Sequence, residues 1–160
     1  MFDAEALRSE FCELAVDVGL EGWPCDVSVE RLVAPHRQPR LPPGQAAIYV
    51  FSLSPDYGAE VPAGPGRVLK VGKVGAQSGP RYSSQHYTLS ARSTLAKSLL
   101  RYRVLWPWLG ITALDQATVK PWMLANLERT HFFVPGDRRE VLAELEVFVR
   151  ARVGSVFEGN

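Results

Sequence analysis

A chain of 160 residues has room for one compact domain with a short extension. Its hydrophobic fraction of 46% and charged fraction of 22% are ordinary for a globular protein, which sets disorder aside, and its longest apolar runs fall well below the ~18 residues of a membrane span. The formal net charge of +1 hides an uneven distribution: no acid occurs between Glu60 and Asp115, while that stretch carries Arg67, Lys70, Lys73, Arg81, Arg92, Lys97, Arg101 and Arg103. A balanced chain with a purely cationic centre points to a basic face that meets a polyanion. The competing reading is a solvated face whose counter-charges arrive from the acidic ends.

Residues 3–18 read as an amphipathic helix, with Ala6, Leu7, Phe11, Leu14, Ala15 and Val18 at helical spacing and acids opposite. Its acidic face is a candidate surface for a partner protein or for self-association. The first residues, Met-Phe-Asp-Ala-Glu-Ala, lack the basic start and apolar stretch of a signal peptide. Cys12 and Cys25 form no CxxC pair, and with three scattered histidines they suggest no zinc site. The expectation is a cytoplasmic protein with reduced thiols and no membrane association. Gly22-Trp23-Pro24 breaks the helical pattern, and a short apolar turn through Val27, Val29, Leu32 and Val33 leads into Pro35, Pro39, Pro42, Pro43 and Gly44. Prolines at that density cannot hold regular structure. Residues 1–44 are therefore expected to be a helical extension and proline-rich linker, with a domain over 45–160.

Ala46 to Leu53 is a strand candidate from its β-branched and aromatic content. After a Pro- and Gly-rich loop, Arg67 to Val74 alternates as a second strand, and the two predict a hairpin. Ser93 reads as the N-cap of a helix to about Leu105, ended by Trp106-Pro107. Thr118 reads as the cap of another helix, with Pro121 in its first turn, running to about Thr130. His131 to Val134 is a short strand, and a last helix runs from Asp137 to about Val153 with the apolar stripe Val141, Leu142, Leu145, Phe148 and Val149. The pattern predicts an α+β fold with a small, mostly antiparallel three-stranded sheet flanked by helices.

Two strand motifs then carry a resemblance: Ala47-Ile48-Tyr49, and Lys70-Val71-Gly72-Lys73. Arg81 follows eight residues after Lys73, with Tyr82, His86 and Tyr87 behind it, and Glu146-Val-Phe-Val-Arg continues to Ser155-Val156-Phe157. In this order and spacing residues 46–158 resemble the GIY-YIG endonuclease family. Three departures are present: Lys70 stands at the second-motif tyrosine, as in phage-type branches; the loop between the motifs is long; and Glu158 stands where the family often has asparagine. The resemblance implies a GIY-YIG-like, metal-dependent endonuclease hydrolysing phosphodiester bonds, with DNA ahead of RNA and low intrinsic sequence specificity. It implies catalytic roles for Tyr49, Lys70, Lys73, Arg81, His86 and Glu146, with one Mg²⁺ or Mn²⁺ held by Glu146. Arg92, Lys97, Arg101 and Arg103 are the candidate nucleic-acid contacts from the charge pattern.

Physically, a guanidinium at Arg81 suits bidentate phosphate contact. Tyr49 could orient a water or, with a depressed pKa, deprotonate it; Lys70 could clamp phosphate or, if neighbouring cations lower its pKa, act as base. Simpler readings stand beside these. Tyr49 can be an ordinary strand aromatic, Lys70 and Lys73 solvated strand residues, Arg81 a loop arginine and His86 a surface histidine. Glu146 lies roughly 90° from the centre of the apolar stripe and can pair with Arg150 at i,i+4, worth a few tenths of a kcal/mol. Glu144, on the other rim, is the rival carboxylate. The alternative functions are a catalytically weakened nucleic-acid-binding module and a partner-dependent adaptor.

Overall fold

The computed structural model describes residues 2–17, 19 and 25–157. Val18, Gly22, Trp23, Pro24 and Glu158, each used in the sequence reading, lie outside the described residues. In chain order the elements are α1 (Ala4–Asp17), β1 (Ser28–Leu32), β2 (Gln45–Leu53), α2 (Pro55–Gly58), β3 (Val68–Val74), α3 (Gly79–Ser83), α4 (Leu95–Arg101), α5 (Trp106–Leu109), α6 (Val119–Asn126), β4 (Leu127–Pro135) and α7 (Arg139–Val153). Short 3₁₀ turns cover Gln85–Tyr87 and Arg103–Leu105.

The strands form one antiparallel sheet in the order β1-β4-β2-β3. It has four strands, one more than the three expected. The additional strand is β1, read from sequence as an apolar turn; it pairs with β4, Ser28 opposite Phe133 and Leu32 opposite Arg129. Three of its five residues are polar and it lies at the sheet edge, so it lacks the apolar alternation that marks a half-buried strand. Residues before 44 thus share the sheet with those after it, and α1 packs on α7.

Both faces of the sheet are covered. On one, α1 and α7 press Phe11, Leu145 and Val149 onto Ile48, Val50, Val71 and Phe132. On the other, α3 to α6 cover Tyr49, Phe51 and Leu53 with residues such as Leu95, Leu99 and Met123. This explains why β2 is apolar at nearly every position: each parity of a doubly covered strand faces a core. Val141, Leu142, Leu145 and Val149 of α7 are all buried, each worth about 1.5–3 kcal/mol relative to exposure. In α1 the buried stripe is narrower than expected: Phe11 and Ala15 are buried, but Leu14 is 38% exposed.

Three further boundaries differ from the sequence reading. The helix expected to reach Thr130 ends at Asn126, and Leu127–Pro135 is a central strand pairing with β1 and β2. Glu128, Arg129, Thr130 and His131 are buried there, a polar run that reads as helix surface when packing is unknown. The N-cap before α4 is Thr94 in place of Ser93; its side chain accepts the Lys97 N–H at 3.2 Å. Trp106-Pro107 opens α5 rather than ending α4, because proline fits the first helical turn, and Gly110 at φ 70° closes it.

Cys12 and Cys25 are bonded as a disulfide, with Cα atoms 5.6 Å apart. This corrects the expectation of reduced thiols: spacing in sequence gave no sign that Cys12 of α1 lies beside Cys25. Among the described residues no helix is long and apolar enough to cross a membrane.

Candidate active site

Gly72 sets the geometry of the site. It lies opposite Tyr49 across the β2–β3 pair, and a Cβ built there would overlap the phenol, 2.6 Å from Cζ and closer still to Oη. Only hydrogen at this position lets the Tyr49 ring lie across β3. Lys70, two residues earlier, is on the same face as Tyr49; Lys73 pairs with Ile48 and belongs to the opposite face. All of them nevertheless line one cavity of about 210 Å³ together with Arg81, Ser93, Glu146 and Arg150. They meet because β3 is the sheet edge, so the cavity opens around it and collects side chains from both faces.

The second face contributes α7. Glu146 Oε2 meets Lys73 Nζ at 2.8 Å, and its Oε1 meets Arg150 at 3.2 Å. Arg150 also reaches the Val71 carbonyl, a backbone acceptor that an edge strand leaves open, at 3.5 Å. Glu144, the rival carboxylate, is exposed and does not line the cavity. The first face contributes the loop after β3. Arg81 is exposed, and no ion pair is formed by it among the described residues. Lys70 is buried at 3% exposure and its Nζ donates to Ser93 Oγ at 3.1 Å. Burial lowers its pKa from the ordinary lysine value, and the Arg150 and Arg81 charges lower it further.

Tyr49 is 1% exposed, and its phenol lies 2.5 Å from His86 Nε2. Burial raises the Tyr49 pKa, the Arg81 and Arg129 charges oppose that rise, and Glu146 adds to it. This corrects the picture of a phenol depressed by its cations: desolvation wins. His86 is buried too, and its pKa falls to about 3, first from burial and then from Arg129, Lys70 and Arg81. His86 is therefore not a surface histidine. At neutral pH an uncharged phenol and an uncharged imidazole share one proton between them. When the phenol donates to Nε2, its lone pairs are left for another donor.

Sequence reasoning did not single out Arg129. It is fully buried on β4, and its guanidinium lies 4.5 Å from the Tyr82 ring centroid, 4.9 Å from Phe51 and 5.3 Å from Tyr49. Nη2 donates to the Tyr82 carbonyl at 2.6 Å, and no carboxylate pairs with it among the described residues. Aromatic faces thus supply much of the compensation that a buried cation requires. In sequence it is an arginine between Glu128 and Thr130, three residues before Phe132-Phe133, which is not specific.

The candidate nucleic-acid residues divide. Arg92, Lys97 and Arg101 line a neighbouring cavity of about 670 Å³ that shares Ser93 with the first. Arg103 does not; it lies over the Trp106 ring, 5.4 Å from its centroid. A further cavity of about 460 Å³ sits on the α1 side of the sheet, but its Arg31 and Glu128 pair with each other at 2.6 Å.

No group of three His, Cys, Asp or Glu side chains suited to a metal occurs among the described residues. Among the described residues Glu146 is the one carboxylate of the cavity, and although both oxygens carry ion pairs, a carboxylate has about four lone-pair positions, so each oxygen keeps capacity. That donor set fits a hard cation completed by water and phosphate oxygens, and does not fit a metal needing soft ligands. No family model, curated protein or solved structure matches the chain.

Proposed function

We propose that this chain is a metal-dependent endonuclease of GIY-YIG type that hydrolyses phosphodiester bonds in nucleic acid, DNA ahead of RNA. The observation that carries the reading is the composition of the edge cavity among the described residues: four cations, Lys70, Lys73, Arg81 and Arg150, with a single carboxylate, around a tyrosine laid over a glycine. An excess of cations suits a phosphate. A lone carboxylate among them suits a divalent cation shared with that phosphate.

Glu146 would hold Mg²⁺ or Mn²⁺, which offsets charge on the reacting phosphate and leaving oxygen. Arg81, exposed and without an acid partner among the described residues, takes the non-bridging phosphate oxygens. Lys73, held by Glu146 beside the cavity, adds positive charge on the opposite side. Tyr49, hydrogen-bonded to His86, presents an oxygen lone pair that orients the attacking water when its proton goes to His86 Nε2. Lys70 is the better proton acceptor, because its pKa moves toward neutrality while that of Tyr49 moves away. Contacts of this kind read phosphates and not bases, which accounts for low intrinsic sequence specificity.

The test is incubation with plasmid, single-stranded DNA and RNA in Mg²⁺, Mn²⁺ and EDTA. Strand scission that needs the metal and disappears in Glu146→Gln supports the reading; no scission in any metal overturns it. One observation favours a second reading, a nucleic-acid-binding module without chemistry: Glu146 is already neutralised by Lys73 and Arg150. Salt-sensitive binding with no scission is its signature.

A further inference from the structure

The larger cavity beside the active site carries more than phosphate recognition requires. Its rim is cationic, from Arg92, Lys97 and Arg101, and no ion pair is formed by these three among the described residues. Its floor is apolar, from Leu105, Val156 and Phe157. The floor is held in place: the N–H groups of Val156 and Phe157 donate to the carbonyls of Val68 and Leu69 on β3, at 3.2 and 2.8 Å. Tyr102, at the C-terminal cap of α4, lies over Phe157 with ring centroids 5.9 Å apart and planes 24° from parallel. The ring is thereby fixed in orientation while remaining 44% exposed, and the Arg101 guanidinium lies 5.4 Å from its centroid.

Cations alone would serve a phosphate, and an apolar floor alone would serve an aliphatic group. A fixed aromatic face, an adjacent planar guanidinium and a row of unpaired cations together match a nucleotide, whose base stacks while its phosphate meets charge. The cavity is also connected to the chemistry. Ser93 lines both cavities and accepts the hydrogen bond from Lys70, so a strand leaving the active site passes directly into this one.

We propose that the cavity of α4, Tyr102 and Phe157 receives an unpaired base of the nucleic-acid strand whose phosphate occupies the Tyr49–Glu146 site. This rests on the nuclease reading and narrows its substrate to strands that are single-stranded beside the reacting phosphate. A base inside a duplex has its faces covered by its neighbours and cannot stack on a protein ring, whereas every unpaired base offers a face regardless of sequence.

The test is binding of the full-length chain in EDTA to a short oligothymidylate, to the same backbone carrying abasic sites, and to a duplex. The intact strand should bind about tenfold tighter than the abasic one, the order expected for one stacked base. Tyr102→Ala should remove that difference while Tyr102→Trp keeps it, and Arg101→Ala should weaken both strands and flatten the salt dependence. Equal binding of intact and abasic strands, equal loss for both in Tyr102→Ala, or a duplex bound as tightly as the single strand would overturn the proposal. A protein that discriminates the bases but cuts nothing fails the nuclease reading and keeps this pocket. One that cuts without discriminating loses the pocket alone.

Discussion

His86 accepts its place in the core only as an uncharged ring, and the same holds for His131, which is fully buried with its pKa well below the ordinary value through burial, Arg129 and His36. The unfolded chain takes up protons at these rings as pH falls through 6.5, while the folded chain does not until about pH 3 at His86. Folding stability is therefore lost on acidification across that window, at about 1.4 kcal/mol per pH unit for each histidine. Denaturation midpoints between pH 7.5 and 5 should fall accordingly, and His86→Gln should shallow the slope; a flat profile would contradict the neutral pair. Gly72 gives a second prediction at this scale. Gly72→Ala should cost about 1–3 kcal/mol by overpacking against the Tyr49 ring, and should displace the phenol from His86. Tyr49→Phe, which keeps the ring but leaves the buried His86 Nε2 without its phenol partner, should cost about 1–3 kcal/mol in stability while strongly reducing cleavage. Urea denaturation beside a cleavage assay separates the two effects.

Strands and helices differed in how plainly they could be read. The β2–β3 hairpin was legible because β2 combines β-branched with aromatic residues, β3 alternates, and the loop between them is rich in proline and glycine. The α7 helix was legible from its stripe, and the same wheel put Glu146 on the rim, where it lines the cavity. β4 was half legible, since His131 to Val134 looks like a strand but Glu128 and Arg129 look like solvated helix until their partners, Arg31 and a set of aromatic rings, are in place. Ser93 was noticed only as a helix cap; that it faces Lys70 depends on a loop whose path no periodicity records. Hydrogen exchange should rank the strands: β2 and β4, each paired on both sides, slowest, and β1, an edge strand with exposed or half-exposed residues, fastest. The Cys12–Cys25 bond ties α1 to the chain entering β1 across a separation of 13 residues, a loop worth about 3 kcal/mol in the chain-entropy model. Non-reducing intact mass should show both thiols blocked, and reduction should lower the melting temperature; free thiols in the native protein would contradict the pairing.

Across the whole molecule, acids and bases are segregated in use as well as in sequence. Glu10 of α1 meets Arg152 of α7, and Glu128 meets Arg31, so the acidic N-terminal helix is spent partly on its own chain, while at the β3 edge Glu146 alone pairs, with Lys73 and Arg150, among the described residues. Around the β3 edge, Arg81, Arg92, Lys97 and Arg101 enter no ion pair among the described residues. Binding to nucleic acid should therefore weaken steeply with salt, the logarithm of affinity falling by about 0.7 per tenfold rise in salt for each phosphate neutralised on a single strand. Cleavage should rise with pH through the lowered pKa of Lys70, since only its uncharged amine accepts a proton. The cleavage expectation depends on Glu146 binding a metal in a cavity otherwise cationic. The direct test is strand scission in Mg²⁺ by the native chain and by Glu146→Gln, with binding in EDTA followed in parallel. Scission lost in Glu146→Gln while binding is retained or tightened is the predicted result; equal scission rates in the two proteins would contradict it.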